Sequence, residues 1–93
     1  MRKVLQSYGL SDYDIEMINS IYPSIEILDE HRVVANIEIV IKMGYPREDI
    51  AILLLENPSF LSYQPYLLER KLKVLSSSTK NLESLLKASP YII

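Results

Sequence analysis

Apolar residues recur along this chain at spacings of three and four, and that spacing predicts helices. Ile15, Ile18 and then Ile21 or Tyr22 form a first stripe on one helical face. Ser11 precedes the stripe and Asp14 follows three residues later, as in a capping box with Asp in place of Glu. Pro23 ends this helix, because the residue before a proline is pushed out of the α region. A short apolar connector runs from Pro23 to Leu28. Asp29 then caps a second helix with the stripe Val33, Ile37, Val40 and Ile41, and Gly44 supplies the left-handed residue that ends it. Strands over Val33–Ile41 or Ile50–Leu55 would suit the β-branched content, but the caps and the period favour helix.

The same order of signals returns further along. Pro46 fits the first turn of a helix, where a missing N–H costs nothing. Ile50, Leu53 and Leu54 are its stripe. Ile52 and Leu55 lie outside that stripe, so this helix is expected to pack on more than one side. Pro58 stops it. Pro65 opens another helix with the seam Leu68, Leu72 and Leu75. A third unit starts near Ser78 or Thr79 and presents Leu82, Leu85 and Leu86.

These returns keep a fixed offset. Gly9 recurs as Gly44, Asp14-Ile15 as Asp49-Ile50, and Tyr22-Pro23-Ser24-Ile25 as Asn57-Pro58-Ser59-Phe60, each 35 residues on. A third copy follows 32 residues later, with Asn81-Leu82 for Asp49-Ile50, Ser89-Pro90-Tyr91-Ile92 for the proline segment, and Ser76 for the glycine. Ile18, Leu53 and Leu85 match in type. The chain thus divides into a partial unit 1–8, units 9–43 and 44–75, and a partial unit 76–93, about two and a half helix-turn-helix units in one domain.

Charge and composition narrow the function. There is no cysteine, which excludes disulfides and thiolate metal sites. No apolar run reaches the roughly 20 residues of a membrane span. No signal or transit peptide is evident, and the expectation is a soluble, cytoplasmic protein. The formal net charge is −2, unevenly spread. Residues 1–63 carry five basic and ten acidic side chains, while residues 64–93 carry five basic and two acidic. An anionic partner should therefore meet the C-terminal third. No Gly-rich phosphate loop, nucleophile beside a base or metal-ligand spacing is present, so neither enzyme, cofactor nor metal is expected. The acidic first turns, such as Asp12, Asp14 and Glu16, read as solvated helix starts favoured by the helix dipole.

The stretches Gly44-Tyr45-Pro46-Arg47-Glu48-Asp49-Ile50 and Leu54-Leu55-Glu56-Asn57-Pro58-Ser59-Phe60-Leu61 resemble the mitochondrial transcription termination factor (mTERF) repeat. Leu68 to Leu75 resembles the second helix of that repeat, and the segments from Tyr22 and Ser89 repeat its proline signature. The resemblance implies an all-α helical-repeat fold, an α-solenoid of paired helices joined by short proline-initiated 3₁₀ turns. It also implies a concave basic surface that binds duplex DNA or RNA, and a role in transcription or gene-expression regulation. Members of that family usually have more repeats and are basic, whereas this chain is acidic.

Arg70, Lys71 and Lys73, with Lys80 and Lys87 on the next helix, could contact phosphates. The plainer reading is a solvated face in which Glu69 and Lys73 form an i,i+4 pair. Leu82, Leu85, Leu86, Tyr91, Ile92 and Ile93 lack a partner helix. Either the segment folds back over that face, or the patch pairs with another protein or a second copy. His31 has no second histidine or cysteine and reads as a surface or capping residue. The seven tyrosines could stack on bases, but packing between units with a wet hydroxyl suits their positions better. The expectation is a non-enzymatic binding module for nucleic acid, with a protein adaptor or self-associating scaffold as the alternative.

Overall fold

The computed structural model describes residues 1–78 and 81–93, and every regular element among them is helical. The helices are α1 (Arg2–Ser7), α2 (Asp12–Ile21), α3 (Glu30–Lys42), α4 (Ile50–Glu56), α5 (Pro65–Ser78) and α6 (Leu82–Ala88). 3₁₀ turns at Pro23–Ile27, Arg47–Asp49, Pro58–Ser62 and Pro90–Ile92 join them or follow them.

Local signals set most of the boundaries. Ser11 Oγ accepts the Asp14 amide at 3.1 Å, and the Asp14 carboxylate accepts the Ser11 amide at 3.0 Å, completing the capping box. Asp29 accepts the His31 amide and caps α3. Gly9 and Gly44 have φ of +96° and +121°. Around each, the residue after glycine bonds back to the last buried turn, Leu10 to the Leu5 carbonyl and Tyr45 to Val40. This is the Schellman arrangement, and in both cases the bonded pair is buried as well.

The second unit starts differently from the first. Thirty-five residues after Ser11 stands Pro46. It has neither a hydroxyl nor an N–H, so neither bond of the capping box can form. The chain tightens there into the Arg47–Asp49 3₁₀ turn, with the Asp49 amide bonded to the Pro46 carbonyl. Pro46 lies before the helix, not in its first turn as expected. Ser76 also departs from expectation. It carries a Cβ and no bias to positive φ, so α5 runs on to Ser78, where Ser77 and Ser78 bond back to the Val74 and Leu75 carbonyls. The third unit is capped by Asn81, which accepts the Ser84 amide, and not at Ser78. Thr79 lies outside the described residues.

The three proline turns share one geometry. Tyr22, Asn57 and Ser89 close α2, α4 and α6 at φ/ψ of −142°/72°, −149°/80° and −141°/75°. Each amide bonds four residues back, to Ile18, Leu53 and Leu85. α2 packs on α4, α3 packs on α5 and on the Pro58–Ser62 turn, and the Pro90–Ile92 turn packs on α4 and α6. One continuous core results, running from Leu5 through Ile18, Ile37, Leu54, Phe60 and Leu72 to Leu86. Each of these buried side chains contributes on the order of 1.5–3 kcal/mol by leaving water. Of the alternatives Ile21 and Tyr22, Tyr22 faces the core side and Ile21 points to solvent. Of the two apolar positions outside the α4 stripe, Leu55 is half-buried against the core and Ile52 is exposed.

Candidate interaction surfaces

The described cations of the C-terminal third do not form a free strip. The Lys87 ammonium on α6 lies 2.8 Å from Glu83, one turn back on the same helix, and 2.8 Å from Asp49 at the start of α4. Those two hydrogen bonds, Asp49 first, raise its pKa. The pairing follows from Pro46. Asp14 is occupied by its capping box, whereas Asp49, at the equivalent place, has no such bond and turns to Lys87. Lys73 pairs with Glu69 at 3.2 Å, the i,i+4 contact expected of a solvated face. The Lys71 ammonium lies 5.6 Å from the Tyr63 ring centre, within cation–π range. Arg70 is exposed and makes no ion pair among the described residues. Lys80 lies outside them.

The apolar C-terminal face is largely consumed within the chain. Leu82, Leu86 and Ile93 are buried and offer no surface to a partner. Leu85 and Ile92 are half-buried against the core. Of the six residues only Tyr91 projects, at 76% exposure. The chain folds back because two side chains hold its turn. Asn57 donates to the Pro90 carbonyl at 2.8 Å, and the Tyr63 hydroxyl donates to the Ile93 carbonyl at 2.7 Å. These partners lie 33 and 30 residues apart, so no local pattern announces them.

A different apolar surface was not legible in the stripe pattern. Tyr13, Met17 and Ile21 are spaced by four along α2 and are 72%, 44% and 61% exposed. The equivalent residues of the second unit, 35 positions on, are Glu48, Ile52 and Glu56. Ile52 is 51% exposed and both glutamates are exposed. The signal was the offset itself, which pairs Met17 on α2 with Ile52 on α4, two helices that pack together. Ile52 and Glu56 also border an open cleft of about 280 Å³ between α4 and α6, with Tyr45 and Asp49 on its wall.

The tyrosines divide into two groups. Tyr8 donates to Glu38 at 2.6 Å, and Arg47 forks onto the same carboxylate at 2.8 and 3.1 Å. Tyr45 is buried and Tyr22 and Tyr63 are half-buried, whereas Tyr13, Tyr66 and Tyr91 stand in solvent. His31 is exposed in the first turn of α3. Among the described residues no three histidine or carboxylate side chains gather to hold a metal ion, and no helix is long and apolar enough to cross a membrane. No family model, curated protein or solved structure matches the chain.

Proposed function

We propose that this chain is a non-enzymatic helical-repeat module that binds a protein partner through the outward faces of its helices. The repeat reading, an mTERF-like α-solenoid of two and a half units, is supported by the three proline turns with matching backbone angles. The carrying observation for the ligand is the exposed Tyr13–Met17–Ile21 stripe of α2, with Ile52 also exposed on α4, the helix that packs against it. Large apolar side chains lined up on one exposed helix face lose free energy in water unless a partner covers them. The cation inventory supports the same ligand class. Among the described cations of the C-terminal third, Lys87, Lys73 and Lys71 are already engaged, and Arg70 by itself offers little to a phosphate backbone, whose affinity grows with each charge neutralised.

The test sets protein against nucleic acid. The purified chain is titrated with duplex DNA, duplex RNA and single strands across a salt series. In parallel, a photo-crosslinking residue replaces Met17 in one version and Lys42, exposed at the end of α3, in another, in the cells that make the protein. Protein adducts at position 17 and not at 42, with no salt-dependent nucleic-acid binding, are expected. Binding that falls steeply with salt and is lost in R70E/K71E would overturn the reading in favour of a nucleic-acid module.

A further inference from the structure

We propose that the protein partner is a second copy of this chain, and that copies associate head to tail, the outward face of α5 on one copy docking against the outward face of α2 and α4 on the next. This rests on the protein-binding reading above and assigns its partner. The two faces are inverse patterns at one spacing. On α5, Tyr66, Arg70 and Val74 are four apart and exposed, with Leu67 beside them. Ile52 and Glu56 on α4 are exposed, and so is Glu48, four residues before Ile52 in the 3₁₀ turn that leads into α4. The α5 ridge reads apolar, cation, apolar, and the second segment reads anion, apolar, anion in sequence. Tyr13, Met17 and Ile21 form an exposed apolar ridge of the same period on α2, which packs on α4. Ridges spaced by four are those that interdigitate in the commonest class of helix packing.

Charge selects the pairing. Arg70 has no carboxylate partner among the described residues, and Glu48 and Glu56 make no ion pair there. Two α5 faces brought together would oppose arginine to arginine, and two α4 faces would oppose glutamates. Only the mixed pairing joins opposite charges and covers apolar surface on both sides. The faces lie on different helices of one chain, so a copy cannot satisfy both by itself. Such a contact is heterologous, and it propagates to a ring or an open array. A stable interface covers about 800 Å² per partner, against a total accessible surface of 5372 Å² for this chain.

Sedimentation velocity on the full chain, free of nucleic acid, is run over a wide concentration range at low and high salt. Wild type is expected to grow beyond monomer with concentration, more so at low salt. E48R/E56R and R70E are each expected to weaken self-association by about tenfold or more, with helical content unchanged by circular dichroism. Mixing the two variants is expected to restore association, because each then presents the charge the other lacks. M17E, which leaves the charges of α4 and α5 in place, is expected to weaken association both alone and in the mixture. A wild type that stays monomeric, an association indifferent to these substitutions, or a mixture that fails to recover would overturn the proposal. If the wild type is monomeric while position 17 still captures another protein, only the self-association falls. If position 17 captures nothing and nucleic acid binds, the underlying module reading falls as well.

Discussion

The side-chain amide of Asn36 on α3 lies 3.1 Å from the main-chain carbonyl of Phe60, in the proline turn of the next unit. The same nitrogen reaches Leu61 at 3.1 Å and Tyr63 at 2.9 Å, and Asn36 is fully buried. A 3₁₀ turn leaves its last carbonyls without helical partners, and burial makes that costly unless a donor is supplied. Asn36 supplies it across the packed pair α3 and Pro58–Ser62.

Asn36→Ala is therefore expected to destabilise the protein by about 2–3 kcal/mol, because buried carbonyls lose their donor. Asn36→Asp, nearly equal in shape, should be worse, since a carboxylate would face three carbonyl oxygens inside the core. Urea unfolding followed by circular dichroism measures both. An Asn36→Asp variant as stable as wild type would show that the bonds to the turn do not matter.

What could be read from the sequence was local. Ser11, Asp14, Asp29, Gly44 and Pro23 act within four residues of themselves, and the helix ends they signal are where the pattern puts them. Pro46 was legible as a punctuation mark but not in its consequence, which is a lost cap, a tightened turn and an Asp49 released to bind Lys87. The cationic strip dissolved for the same reason. Lys87 and Asp49 are 38 residues apart, and only the stacking of α6 near α4 brings them together. Apolar content likewise could not tell Ile18 from Ile21, because the face of α2 that is covered depends on what packs there.

The two positive-φ glycines give a backbone prediction separable from packing. A methyl at Gly44 would meet nothing within 4 Å, and one at Gly9 would meet only the Ala51 Cβ at an ordinary 3.9 Å. Gly9→Ala and Gly44→Ala should therefore each cost about 1–2 kcal/mol, from backbone strain alone. A D-alanine introduced by chemical synthesis at position 44 should recover most of that loss, since positive φ suits its mirror-image centre. A D-alanine variant as unstable as the L form would place the cost in packing instead.

The Tyr8–Glu38–Arg47 cluster predicts a pH profile. Hydrogen bonds from Arg47 first, and then from Tyr8, hold Glu38 below the ordinary glutamate value of 4.5. A carboxylate lowered in this way stabilises the fold above that value, and the contribution is lost as pH falls through the folded-state pKa. Burial first, and then the Glu38 carboxylate, pushes the Tyr8 hydroxyl from 10.0 up to about 12. Its contribution is complete below pH 10.0 and declines as pH rises toward about 12, because the unfolded chain ionises first. Unfolding midpoints from pH 3 to 11 should show both limbs. Glu38→Gln should flatten the acid limb, and Tyr8→Phe should make the alkaline limb shallower.

The Pro90–Ile93 segment holds α6 in place, and its tethers can be cut one at a time. Tyr63→Phe removes a single hydroxyl donor to the Ile93 carbonyl and should cost about 1 kcal/mol. Asn57→Ala should cost more, about 2 kcal/mol, because Asn57 is buried, donates to Pro90 and accepts from Ser59. Deleting residues 90–93 removes both bonds and the buried Ile93 side chain, and it uncovers the seam of Leu82 and Leu86. α6 has only seven residues, too few to persist without packing. Its amides should therefore lose hydrogen-exchange protection before those of α3, which stays anchored by Val33, Ile37 and Val40. Exchange that rises equally across α3 and α6 would instead mean that the segment supports the whole core and unfolds with it as one unit.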